Sequence, residues 1–176
     1  MEEYAVEGKE IVNISKLTSP QMDKEHYIAA HKGTVIVCHD IFIKYNDPKT
    51  GDAGVLLVVR KNVPAKDLLW PIGGRIQRGV KTTESLKHKV KEECSLEITH
   101  IKEIGLTRTY FETEPFGHGK GTDTINIVYF AEGNGEIKLN NLHAQPTIIT
   151  KDNFSEYKNE MHPYIREYVE KCLKLI

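Results

Sequence analysis

The chain has 176 residues, 39% hydrophobic and 28% charged, the proportions of an ordinary globular domain. A formal net charge of −1 excludes any overall field drawing it to nucleic acid or to an anionic membrane. Apolar runs such as GVLLVV at 54–59 fall far short of the roughly 20 residues a spanning helix needs. The opening MEE lacks the basic and apolar regions of a secretory signal.

In chain order, residues 1–18 carry weak β signals (Tyr4, Val6, Ile11, Val12, Ile14) and read as an N-terminal arm. Ser19-Pro20 reads as an N-cap with proline at the first helical position, predicting a helix to about Ala30. TVIVCHDIFIKY (34–45) and GVLLVVRK (54–61) are rich in β-branched residues and flank the turn-forming run NDPKTGDAG, predicting a hairpin with a long loop. Residues 62–80 read as a loop. A helix follows over about 83–94, capped by Thr82 or Thr83, with Leu86, Val90 and Cys94 on one stripe. Strands are predicted at 101–113 and 123–133, joined by EPFGHGKGT, and a short one near IKL or TIIT. The closing region 153–175 is helical, broken or kinked by Pro163, with Ile165, Tyr168, Val169, Cys172 and Leu173 on its buried face. Such an order predicts an α+β fold. Cys38, Cys94 and Cys172 are odd in number and widely spaced, which excludes a disulfide framework and predicts buried thiols in a reducing cytoplasm.

The chemistry concentrates in WPIGGRIQRGVKTTESLKHKVKEECSL. Gly73-Gly74 permit a turn closed to residues with side chains, so a backbone carbonyl can point at a ligand. The helix after it ends in Glu92-Glu93. Mg²⁺ takes a few protein oxygens and keeps positions for water and phosphate, so a turn carbonyl plus a helix carboxylate is a reasonable share.

This segment resembles the Nudix box, G-x5-E-x7-R-E-U-x-E-E-x-G-U, with U aliphatic. Counting from Gly74, Val80 stands where the family has glutamate and His88-Lys89 where it has Arg-Glu. Val90 and Glu92-Glu93 match, and Ser95-Leu96 stand at Gly-aliphatic. Over about residues 25–150 the chain looks most like the GDP-mannose mannosyl hydrolase group. That likeness lies in RKNVPAKDLLWPIGGRIQRG (60–79), GKGTDTINIVYF (119–130) and LHAQPTIIT (142–150).

The resemblance implies a Nudix-type α/β/α sandwich with a mixed sheet over residues 19–176, and a homodimer. It implies hydrolysis of a nucleotide sugar such as GDP-mannose by water attack at the sugar carbon, releasing sugar and nucleoside diphosphate. Glu93 and a Gly73 or Gly74 carbonyl would hold Mg²⁺ or Mn²⁺, with Glu92 beside them. Arg60 and Arg75 would contact the diphosphate, and His143 would act as general base. The group's aspartate contact falls near His39 or Asp40. Two guanidinium forks suit phosphate oxygens, and a histidine of near-neutral pKa suits proton abstraction. The glycine-rich loop 117–122 is placed to close over a ligand, with Lys120 near phosphate and His118 as a further substrate contact.

Three departures from the family pattern bear on activity. Val80 and Leu142 cannot coordinate a cation, Leu142 standing where the group has glutamine. Lys89 lies one helical turn before Glu93, where its ammonium either stands in for the cation or repels it. These departures support a competing reading: a Nudix-fold module that binds a nucleotide or nucleotide sugar without hydrolysing it. Cleavage at phosphorus rather than carbon is a third.

Overall fold

The β-branched run 34–45 becomes the strand on which the molecule is organised. A computed structural model describes residues 1–4, 14–17 and 22–176, except the side chain of Ser15. In it β1 (Ile36–Asn46) pairs with β2 (Ala53–Arg60) as the predicted hairpin, with Ile43 opposite Leu56. Its other edge runs parallel to β6 (Thr122–Asn134), and β6 pairs antiparallel with β5 (Glu97–Phe111). β7 (His143–Ile149) lies antiparallel along the far edge of β2. One parallel contact among antiparallel ones makes the sheet mixed, as expected.

Part of the predicted loop 62–80 is strand. β3 (Leu69–Trp70) pairs with Val58 and Val59 of β2, and β4 (Ile72–Arg75) pairs with Cys38–Ile41 of β1. β1 and β2 are therefore joined at one end only. At the other end the segment 69–75 lies between them and crosses from β2 to β1 at Pro71. A proline donates no ladder hydrogen bond, so it suits a crossing point.

Strand residues alternate between the two faces. Phe42, Val55, Leu57, Val128 and Phe130 pack with the last helix, α4 (Pro163–Leu173). Ile41, Ile43, Leu56, Val58 and Ile127 pack with α2 (Thr82–Cys94) through Leu86, Val90 and Cys94. Helices thus cover both sheet faces, giving the expected α/β/α sandwich. All three cysteines are free and buried.

Helix ends differ from expectation in two places. α1 (Lys24–Gly33) is capped by Asp23, whose carboxylate accepts the His26 amide at 3.0 Å; Ser19-Pro20 and most of the arm lie outside the described residues. α2 has no threonine cap: the Thr82 N–H donates instead to Glu3, 2.8 Å away. The closing helical region breaks before Pro163, as expected, and that proline kinks nothing. It opens α4 at its first turn, where its missing N–H costs nothing, after the short α3 (Phe154–Tyr157). Ile165, Tyr168, Val169, Cys172 and Leu173 are buried as predicted. Among the described residues, no helix is long and apolar enough to cross a membrane.

Candidate active site

The splayed ends of β1 and β2 open a cleft, and the alternation along β1 decides what enters it. Asp40 shares the face of Phe42, so its carboxylate lies on the α4 side and accepts the Tyr164 hydroxyl at 2.7 Å. His39 points the other way, and its Nε2 meets Ser85 Oγ of α2 at 3.1 Å. Asp40, not His39, lines the cleft. Burial pushes its carboxyl up to about 6, against the Tyr164 hydrogen bond and the Arg60 charge. Burial pushes the His39 imidazole down to about 4, so it is neutral at pH 7.

Gly73 faces Asp40 across the β1–β4 ladder. A Cβ there would stand 2.3 Å from Asp40 Oδ1 and 2.5 Å from the His39 carbonyl, so no side chain fits. Gly74 has φ +148°, a conformation L residues rarely adopt. The double glycine thus makes room for a carboxylate and turns the chain toward Arg75.

Arg60 and Arg75 both line the cleft. Arg75 is exposed, with its guanidinium carbon 4.3 Å from the centre of the Tyr27 ring of α1. Arg60 is largely enclosed, and burial pushes its guanidinium down while Asp40 and Glu93 pull the other way. Its Nε has no hydrogen-bond partner among the described residues. The cleft is lined as well by aromatic and apolar groups, among them Tyr27, Pro64, Trp70 and Phe111, by His31, and by polar ones such as Thr124 and Asn126. Trp70 is therefore both core and lining.

Glu93 belongs to the inner stripe of α2, seven residues after Leu86 and three after Val90, and is 4% exposed. The carbonyls of Glu93 and Cys94 accept the amides of Asn140 and Lys138, both at 3.0 Å. Those bonds satisfy the helix end and steer the chain into β7, where His143 faces Arg60 across the ladder. His143 Nε2 lies 2.9 Å from Glu93 Oε2, with both side chains 5% exposed. If Nε2–H donates to the carboxylate, Nδ1 keeps its lone pair, and that atom is buried without a partner. Glu92, one residue earlier, is 67% exposed.

Lys89 Nζ lies 3.5 Å from Glu93 Oε1 and 3.3 Å from Glu92 Oε2. Its Cε lies 3.8 Å from where a Cβ on Gly74 would be. The ammonium therefore occupies the space between the glycine turn and the helix carboxylates. Among the described residues, no three His, Cys, Asp or Glu side chains converge to hold a metal ion. Val80 adds no acid and Leu142 no amide. The donor set expected for Mg²⁺ (Gly73, Gly74, Glu92, Glu93) is thus one buried carboxylate already engaged by His143 and Lys89, one exposed carboxylate, and a turn. These residues do not fit a divalent ion as they stand.

Two expected contacts lie at the margin. His118 Nε2 meets His31 Nδ1 at 2.9 Å and tethers the glycine-rich loop to α1. Lys120 is exposed, and its backbone N–H donates to His118 Nδ1. His31, not a candidate from sequence, is buried and lines the cleft. Its histidine-rich surroundings at the end of α1 gave no local signal.

Solved structures with this fold include the NUDIX domain of Shewanella oneidensis NrtR complexed with ADP ribose. It is 14% identical, with a TM-score of 0.59 over 86% of this chain and 99% of that one. The fold is the Nudix fold. A NUDIX-family hydrolase from Clostridium perfringens aligns at TM-score 0.61 and 16% identity over 81% and 98% of the two chains. A C. elegans Ap4A hydrolase aligns at 0.56 and 12% over 80% and 97%. No family model matches the sequence, and a search of curated proteins finds no match.

Proposed function

We propose that the protein is a Nudix-type hydrolase of nucleoside diphosphate-linked substrates, with a nucleotide sugar such as GDP-mannose as the leading candidate. One observation carries the reading: Arg60, an enclosed guanidinium with an unpartnered Nε, shares a cleft with Arg75 and an aromatic wall. A diphosphate answers the two cations, and a planar base or a sugar ring answers the aromatic side. The neighbouring structures that bind ADP ribose or act on Ap4A agree with a nucleotide-like ligand.

In this reading His143 removes a proton from water at Nδ1, while Glu93 holds the ring and steadies the charge it gains. Arg60 and Arg75 bind the diphosphate and offset the charge on it as it departs. Attack at the sugar carbon gives free sugar and nucleoside diphosphate; attack at phosphorus gives a nucleoside monophosphate and a sugar phosphate. Incubation with GDP-mannose, ADP-ribose and related compounds in ¹⁸O-labelled water tests both, since the label enters different products. Absence of turnover from folded protein on every compound would remove the hydrolase reading.

The position of Lys89 favours a second reading, a ligand-binding module without turnover. It predicts heat of binding for a nucleotide sugar that is recovered unchanged after prolonged incubation.

A further inference from the structure

We propose that the Lys89 ammonium is a built-in cation: it fills the seat between the glycine turn and the α2 carboxylates, excludes a divalent ion, and makes ligand binding metal-independent. Its bearing on the ligand rests on the reading that the cleft takes a diphosphate, whereas its bearing on metal does not.

Two observations place the ammonium in the seat. The Lys89 stem lies against Gly74, at van der Waals distance from where a side chain would begin. The ammonium then reaches both helix carboxylates, at 3.3 Å and 3.5 Å. Lys89 is three residues before Glu92 and four before Glu93, so one helical turn delivers it to both without strain.

Electrostatics oppose a second cation here. Two carboxylates and one ammonium leave a single net negative charge, and a divalent ion in this seat would stand a few ångströms from a fixed positive one. An ion needing several hard oxygen ligands finds one buried carboxylate whose other oxygen already meets His143. An ammonium needs only the two carboxylate contacts it has, and has three donors. The third donor is left for a phosphate oxygen.

The test separates metal from ligand. Wild-type protein and Lys89→Glu are titrated with Mn²⁺ alone, and free Mn²⁺ is read by electron paramagnetic resonance. Wild type should leave Mn²⁺ free, and Lys89→Glu should bind it at least roughly tenfold more tightly. Lys89→Gln, which removes the charge without adding an acid, should fall between them and serves if the glutamate variant does not fold. Wild-type binding of Mn²⁺ as tight as that of the variants would overturn the proposal. Calorimetry with GDP and ADP, in EDTA and then in Mg²⁺, reads the ligand side. Affinity should stay within about threefold between the two buffers and fall about tenfold or more in Lys89→Gln. Loss of binding in EDTA would overturn the proposal. Failure of both nucleotides to bind in any buffer, with the Mn²⁺ pattern intact, would remove the diphosphate reading and leave the ammonium in its seat.

Discussion

Two walls of charged residues, one on α2 and β7 and one lining the cleft on β1, β2 and β4, treat charge in opposite ways. On the α2–β7 side, Glu93 meets both His143 and Lys89, and the acid and imidazole are almost wholly enclosed. On the β1–β2–β4 side, Arg60 has an unpartnered Nε, Arg75 rests on a tyrosine ring, and Asp40 is held by a single hydroxyl. The first wall is finished around its acid, with His143 Nδ1 left over, and removal of that acid should be felt in folding. The second is unfinished, and its removal should be felt in binding.

The largest effect that would break this contrast is in the finished wall. Glu93→Ala leaves His143 and Lys89 without their acid and should lower unfolding free energy by about 3–5 kcal/mol. The adjacent Glu92→Ala, at a solvated position, should change it by less than about 0.5 kcal/mol. Denaturant titration of both measures the difference, and equal losses would show that Glu93 is no more enclosed than its neighbour.

Next in size is a pH effect across the two faces of β1. Asp40 rises to about 6 in the folded chain, so the folded state holds a proton the unfolded state has lost. Its contribution therefore falls as pH rises from about 4 to about 6. His39 drops to about 4, so its contribution falls as pH is lowered from about 6.5 to about 4. Each is worth roughly 3 kcal/mol, and where the windows overlap they nearly cancel. Asp40→Asn should unmask the histidine alone, giving a stability that climbs by roughly 3 kcal/mol between pH 4 and 6.5. A flat profile in the variant, measured by denaturation at several pH values, would refute the opposed pair.

The smallest effect sharpens the comparison within the unfinished wall. Arg60→Met should weaken GDP or ADP binding by about 30- to 100-fold, or roughly 2–3 kcal/mol. Arg75→Met, at an exposed position, should cost only about three- to tenfold. Calorimetry ranks them; an equal or larger loss at Arg75 would mean that enclosure does not set the strength of the contact.

What could be read from sequence follows from the same physics. The burial of Glu93 was legible in the stripe of Leu86 and Val90, and the buried face of α4 in its helical spacing. Asp40 and His39 could not be told apart, because Ile41, Phe42 and Ile43 are all fully enclosed by helices on both faces. A strand buried on both sides shows no alternation to fix its parity. β3 and β4 were missed because Pro71, Gly73 and Gly74 read as turn formers. Their strand character comes from partners about thirty residues back along the chain and ten. His31 was invisible for a like reason: what makes it part of the cleft is His118, which no local pattern links to it.

The sequence contains one tryptophan, and its ring stands in the cleft wall beside Phe111, His162 and Tyr164. Emission excited beyond the absorption of the eight tyrosines therefore comes from the cleft wall. A stacking guest would dim or shift that glow, so occupancy can be followed optically without attaching a dye.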